Sequence, residues 1–105
     1  MPVLDVRARV AFDAKFAPRI LHRDERAKVV LICLEPGQAI RPHAEQNQGF
    51  FFVLEGSGIL TCDEVELELR EGQLGAVPFG ATRGLRATEV RLVALATAVS
   101  DRKPE

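Results

Sequence analysis

Residues 36–58 read "PGQAIRPHAEQNQGFFFVLEGSG". The segment opens on a Pro-Gly turn, runs through a polar stretch carrying His43 and Glu45, and enters an aromatic and aliphatic run closed by Gly56 and Gly58. Strands bounded by turn residues give this rhythm. It continues on both sides. Upstream, "KVVLICLEPG" (28–37) is a β-branched run ending at the same Pro-Gly turn. Downstream, "VELELRE" (65–71) alternates strictly, with Val65, Leu67 and Leu69 on one face and Glu66, Glu68 and Arg70 on the other, so a strand with one wet face is expected. "QLGAVPFG" (73–80) stops at Pro78, which cannot continue a central ladder, and "EVRLVALATA" (89–98) is the last long run.

Helical periodicity is weak throughout. "FAPRILHRDERAK" (16–28) is best read as a short strand at Arg19–His22 followed by a charged turn at Asp24–Arg26. Apolar runs recurring every eight to twelve residues indicate an all-β sandwich or barrel. A chain of 105 residues is enough for one domain and too short for two that would each bury a core. The single domain therefore spans 1–105, with the barrel over about 28–98 and a polar tail, "SDRKPE" (100–105), expected to fray.

A formal net charge of -1 gives no field that would attract nucleic acid or an anionic membrane, so neither is an expected partner. The N-terminus "MPVLDVRARVAFDAKF" lacks the apolar region of a signal peptide, and no apolar run reaches the length of a membrane span, so a cytoplasmic location is expected. Cys33 and Cys62 form no C-x-x-C pair and are expected to pack as small buried thiols. The acidic row Glu64, Glu66 and Glu68 reads as a solvated strand face.

The spacing of glycines and prolines resembles that of small single-domain cupins. Gly37, five residues, His43, Ala44, Glu45, three residues, Gly49, six residues and Gly56 match the form of that family's first motif. Gly72, five residues, Pro78, Phe79, Gly80, two residues and Arg83 match the second. The resemblance implies a double-stranded β-helix, or jelly roll, with a cavity lined by both motifs. It also implies that the four metal-ligand positions fall on His43, Glu45, Gly49 and Arg83, where this chain departs from the family. Only His43 and Glu45 can donate to a metal, while Arg83 is a permanent cation without a lone pair. No cofactor is therefore expected. If a divalent ion such as Zn, Mn, Fe or Ni does bind, His43 and Glu45 would hold it; the place of His22 in the N-terminal strand gives no reason to expect it as a third donor.

The expected site is the polar floor of an apolar pocket: His43, Glu45 and Arg83 with Phe51 and Val53. Strand parity groups Arg41, His43 and Glu45 on one face and points Gly49, Phe51 and Val53 inward. Arg83 either pairs with Glu45 in the ion's stead or joins His43 in offering donors to an anionic small molecule. A weaker reading makes His43 a general base oriented by Glu45. The functions open at this level are metal-free binding of a small molecule, an anion being one candidate, a divergent metal-dependent oxygenase or isomerase, and a dimeric sensor or assembly module. Phe50, Phe52 and Leu54 project outward, where a second copy in a homodimer or the chain's own N-terminal segment would cover them.

Overall fold

A computed structural model describes residues 3–100. After a single 3-10 turn at Arg7–Arg9, every regular element is a strand: β1 (Arg19–Arg23), β2 (Ala27–Leu34), β3 (Ala39–Ala44), β4 (Gln48–Cys62), β5 (Val65–Arg70), β6 (Leu74–Val77) and β7 (Thr82–Val99). All pairings are antiparallel. Among the described residues, no helix is long and apolar enough to cross a membrane. From the expected polar tail, residues 101–105 lie outside the described residues, while Ser100 donates its backbone N–H to the Arg26 carbonyl at 2.7 Å.

Two long strands carry the architecture. β4 and β7 pair from Gln48↔Val99 to Cys62↔Arg83, and each bends midway so that its halves serve different sheets. The second half of β7 pairs with β2 over Leu92–Val99, while its first half pairs with β3 over Thr82–Arg86. The first half of β4 takes β6, through Gly49↔Val77 to Phe52↔Leu74, and its second half takes β5. Two sheets that share both long strands form the double-stranded β-helix.

The bend is made at Gly56. Opposite it the ladder steps from Gly56↔Leu92 to Gly58↔Ala87, so residues 88–91 of β7 loop out across from Ser57. Gly56 has φ +80°, and a Cβ there would stand 1.8 Å from the Arg91 carbonyl oxygen. No other residue fits. The sequence pattern places a last run at 89–98, whereas β7 starts at Thr82. Arg83, Gly84 and Arg86 interrupt the apolar pattern there and hide the strand's first half.

Alternation along β2 supplies two cores. Val30, Ile32 and Leu34 point into the barrel with Val53, Leu60, Leu85, Leu92 and Ala94. Leu31 and Cys33 point outward with Val93, under Val6, Val10 and Phe12 of the N-terminal segment. Leu54 packs against the same cluster, so one end of the outward stripe is partly buried within the same chain. Phe50 is half-buried, and Phe52 is 37% exposed. Both cysteines are free thiols, Cys33 buried and Cys62 half-buried against the barrel core.

The expected one-sided face of β5 holds only at Leu69. Val65 and Leu67 are about as exposed as the acidic face, at 55% and 50%, because the β4–β5 hairpin runs past the end of the core. Glu64, Glu66 and Glu68 are solvated as expected, with Glu66 held bidentately by Arg86 at 2.9 and 3.1 Å.

Three contacts hold the N-terminal segment down. Arg91 stacks over Phe12, 4.4 Å from the ring centroid, while its guanidinium pairs with Glu35 at 2.6 Å. Gln38 Nε2 donates to the carbonyls of Asp13 and Ala14 at 2.9 and 3.1 Å, and Arg19 pairs with Asp13 at 3.1 Å.

Two glycines with the same strained backbone should respond differently to alanine. Gly72 has φ +82° and nothing within 4 Å of the place a Cβ would occupy, so Gly72→Ala should cost the left-handed strain alone, about 1–2 kcal/mol. Gly56→Ala adds a collision with backbone and should cost more than about 3 kcal/mol. Urea unfolding of both variants measures the difference; equal losses would show that the β4–β7 corner does not depend on Gly56.

Candidate functional site

The inward residues enclose a cavity of about 200 Å³. β2 contributes Lys28, Val30 and Ile32, β3 Ile40 and His43, β4 Gly49 and Phe51, and β7 Arg83 to Leu85 and Ala96 to Ala98. Glu45 lies in the β3–β4 connection, and Phe16 and Pro18 of the N-terminal segment complete the wall. Most of this surface is apolar. The polar groups are Lys28, His43, Glu45, Arg83 and Thr97.

Of the five residues expected from sequence, His43, Glu45, Phe51 and Arg83 come together here. Val53 does not line the cavity. It points inward but is 0% exposed, sealed in the core by Leu60, Leu92 and their neighbours. Arg41 also departs from the expected parity: the β3–β7 register slips between Ile40 and His43, so Ile40 faces the cavity and Arg41 is exposed. Gly84 makes room for this bulge, since a Cβ there would meet the Ile40 carbonyl oxygen and Pro42 nitrogen, each at 2.9 Å. His22 sits in β1, bonded to Asp24 at 2.8 Å, and takes no part in the site.

Arg83 pairs with Asn47 rather than with Glu45. Its side chain is 4% exposed, and Nη1 donates to Asn47 Oδ1 while Nη2 donates to the Asn47 carbonyl at 2.9 Å. Nε and Nη2 also reach the Ala81 carbonyl at 3.2 and 3.1 Å, and Nη2 the Pro78 carbonyl at 3.4 Å. Among the described residues, no carboxylate stands within ion-pair distance of it. Neutral oxygens satisfy the guanidinium, and its charge stays uncancelled by a countercharge.

Glu45 turns to the histidine instead. His43 Nδ1 faces the Arg41 carbonyl at 2.9 Å and Nε2 faces Glu45 Oε2 at 2.6 Å. Two acceptors on the two ring nitrogens favour the imidazolium, which donates to both. The Arg41 carbonyl, then the Glu45 carboxylate, push the His43 pKa above its ordinary value, against the opposing charge of Arg83. Burial draws the Glu45 carboxyl upward, but hydrogen bonds from His43 and Asn47 and the charges of His43 and Lys28 outweigh it and hold the pKa below the usual range. Asn47 Nδ2 donates to Glu45 Oε1 at 3.2 Å, so a polar chain runs from Arg41 through His43, Glu45 and Asn47 to Arg83. With His43 protonated, Lys28, His43 and Arg83 stand against one carboxylate.

This donor set does not fit a transition metal. His43 Nε2 carries the proton it donates to Glu45 Oε2 and so has no lone pair for a metal, Gly49 offers no donor, and Arg83 brings a fixed positive charge. Among the described residues, no group of three or more His, Cys, Asp or Glu side chains could hold a metal ion.

Sequence reasoning missed Lys28 and Asn47. Lys28 shares parity with Val30 and Ile32, and that alternation could have placed it inside. Asn47 carries no such signal, because it lies between strands in an irregular segment.

The sign of the two pKa shifts defines a pH window. A raised His43 pKa stabilises the fold below the unfolded value of 6.5 and loses that contribution as pH climbs through the folded pKa. A lowered Glu45 pKa stabilises above 4.5 and loses its contribution as pH falls through the folded pKa. The destabilisation caused by His43→Gln should therefore be largest between these two values and shrink at alkaline pH. The half-exposed pair keeps the effect modest. A Tm difference that stays flat from pH 5 to pH 9 would contradict the charged pair.

Comparison with known proteins agrees with this architecture. The chain superimposes on TT1209 from Thermus thermophilus with a TM-score of 0.88 at 25% identity, covering 94% of this chain and 97% of that one. An RmlC-like cupin protein from Desulfovibrio desulfuricans gives a TM-score of 0.84 at 24% identity, over 95% and 97% of the two chains. The dimethylsulfoniopropionate lyase DddW of Ruegeria pomeroyi is 43% identical over 49 residues, which are 47% of this chain and 32% of the lyase. The chain thus matches about a third of that relative's length. The family model of the cupin domain matches residues 30–97, which hold both glycine motifs, most of the barrel core and the buried arginine. This chain belongs to the cupin domain family.

Proposed function

We propose that the protein binds a small organic anion, a short carboxylate with an apolar tail, in the barrel cavity and without a transition metal. The observation that carries this reading is charge imbalance inside an apolar pocket. Lys28 and Arg83 are permanent or near-permanent cations, His43 adds a third when protonated, and only Glu45 opposes them. Among the described residues, Arg83 Nη1 makes a single hydrogen bond, to Asn47, and keeps a second N–H for an acceptor. A carboxylate at this end would meet charged donors, and its tail would lie against Phe51, Ile40 and Phe16. The relative from Ruegeria pomeroyi is named for dimethylsulfoniopropionate, a zwitterion that shares the short carboxylate end with this ligand class but carries a sulfonium cation where the proposed ligand has an apolar tail.

A catalytic role for His43 has less support. A base must hold a free lone pair, and both ring nitrogens of His43 face acceptors. A second copy of the chain is proposed as partner on the outer face: Phe52 pairs across the ladder with Leu74, and the two are 37% and 60% exposed. With Phe50 beside them and Leu54 half-buried against the outer core cluster, this patch is the open part of the outward stripe.

Calorimetric titration with three- to five-carbon monocarboxylates and their amides tests the ligand class. Acids should bind at least about tenfold more tightly than amides, and Lys28→Met should lower acid affinity by a similar factor. Equal binding of acid and amide would defeat the reading. For the partner, Phe52→Asp should move the protein from dimer to monomer in sedimentation velocity, and an unchanged coefficient would remove that proposal.

A further inference from the structure

We propose that the Arg83 guanidinium is this barrel's built-in substitute for a metal ion, and that Gly49 is a glycine solely to leave it room. The inference concerns how the cavity is built and stands whether or not an anion binds there.

Two of the positions that the resemblance assigns to metal ligands, 49 and 83, lie against each other in this structure. A Cβ on residue 49 would lie 2.7 Å from Arg83 Nη1, while its next neighbours, Arg83 Cζ and Phe51 Cε2, stand at an ordinary 3.5 Å. Gly49 lies in β4 without a positive φ, so its backbone is one that any residue adopts. Nothing else at the position calls for glycine. Any ligating side chain at 49 and the guanidinium from 83 would compete for the same volume, and this chain contains only the second.

The guanidinium is also held as an ion is held. Its donors converge on oxygens from two neighbouring pieces of chain: Asn47, at the entry to β4, and the Pro78 and Ala81 carbonyls in the turn between β6 and β7, which also meet through the Gly80 N–H and the Asn47 carbonyl at 3.3 Å. A metal bound by both motifs would tie the same two regions together. Here a covalently attached cation does so, through charge-assisted hydrogen bonds. It cannot be chelated, exchanged or reduced, and what it offers the cavity is an N–H donor rather than an open coordination position.

The test is a double-mutant cycle on thermal stability, with metal content measured alongside. Gly49→Ala in the unaltered background should lower Tm by about 4–8 °C as its methyl group displaces Nη1. In an Arg83→Met background the same change should shift Tm by less than about 2 °C, because the obstructing atom is gone. Arg83→Lys, which keeps the charge but lacks the planar fork, serves as a second background with the same expectation. Equal losses in all three backgrounds would overturn the proposal. After incubation with manganese, nickel or zinc and dialysis, the unaltered protein should retain no metal by elemental mass spectrometry and show no change in Tm. Near-stoichiometric retention would overturn it equally.

Discussion

The ladder between β4 and β7 is the interaction on which the rest of the molecule depends. Each strand gives half its length to one sheet and half to the other, so the sheets cannot separate without breaking the same pair of strands. A continuous pair that changes sheets must turn sharply, and the turn occurs where the Gly56 backbone passes under the Arg91 carbonyl. The other strands attach to a half-ladder already in place: β2 and β3 to β7, β5 and β6 to β4. The cavity lies between these halves. Its floor is drawn from both, with His43 and Arg83 directly paired across β3 and β7.

That pairing explains the electrostatics. Two basic side chains from opposed positions would repel each other in a closed barrel unless each found its own acceptors. His43 takes Glu45 and the Arg41 carbonyl, while Arg83 takes Asn47 and the 78–81 turn. Glu45 and Asn47 are joined in turn, so one connected network serves both bases and no buried side-chain polar atom lacks a partner among the described residues. The outcome is a polar floor with an excess of positive charge beneath an apolar wall.

Much of this could be read in the sequence, because glycine and proline positions constrain backbone directly. Gly37, Gly56, Pro78 and Gly80 mark the turns, and the family resemblance that their spacing carries implied a single cavity for His43, Glu45 and Arg83. What stayed hidden depended on side-chain choice at close range. A guanidinium accepts amide and carbonyl oxygens as partners as readily as a carboxylate, so charge matching pointed to Glu45 when the partner was Asn47. Strand parity placed Val53 on the correct side of β4 but said nothing about depth, and it failed at Arg41, where a bulge shifts the register. The first half of β7 escaped notice because the residues that build the site, Arg83 and Gly84, also break its apolar pattern.

The cavity wall is made of two unlike materials. On most sides it is ladder, and moving it means breaking a row of backbone hydrogen bonds. On the side of Phe16 and Pro18 it is a stretch outside any strand, fastened by the Gln38 side chain to Asp13 and Ala14 and by the Arg19–Asp13 pair. Lifting it would break those bonds and also pull Phe16 off the barrel core, while the residues before it cover Leu31, Cys33 and Val93. One wall of the cavity is thus tied to the packing of the outer core, and the shape of the pocket depends on a layer that the ladder itself does not hold.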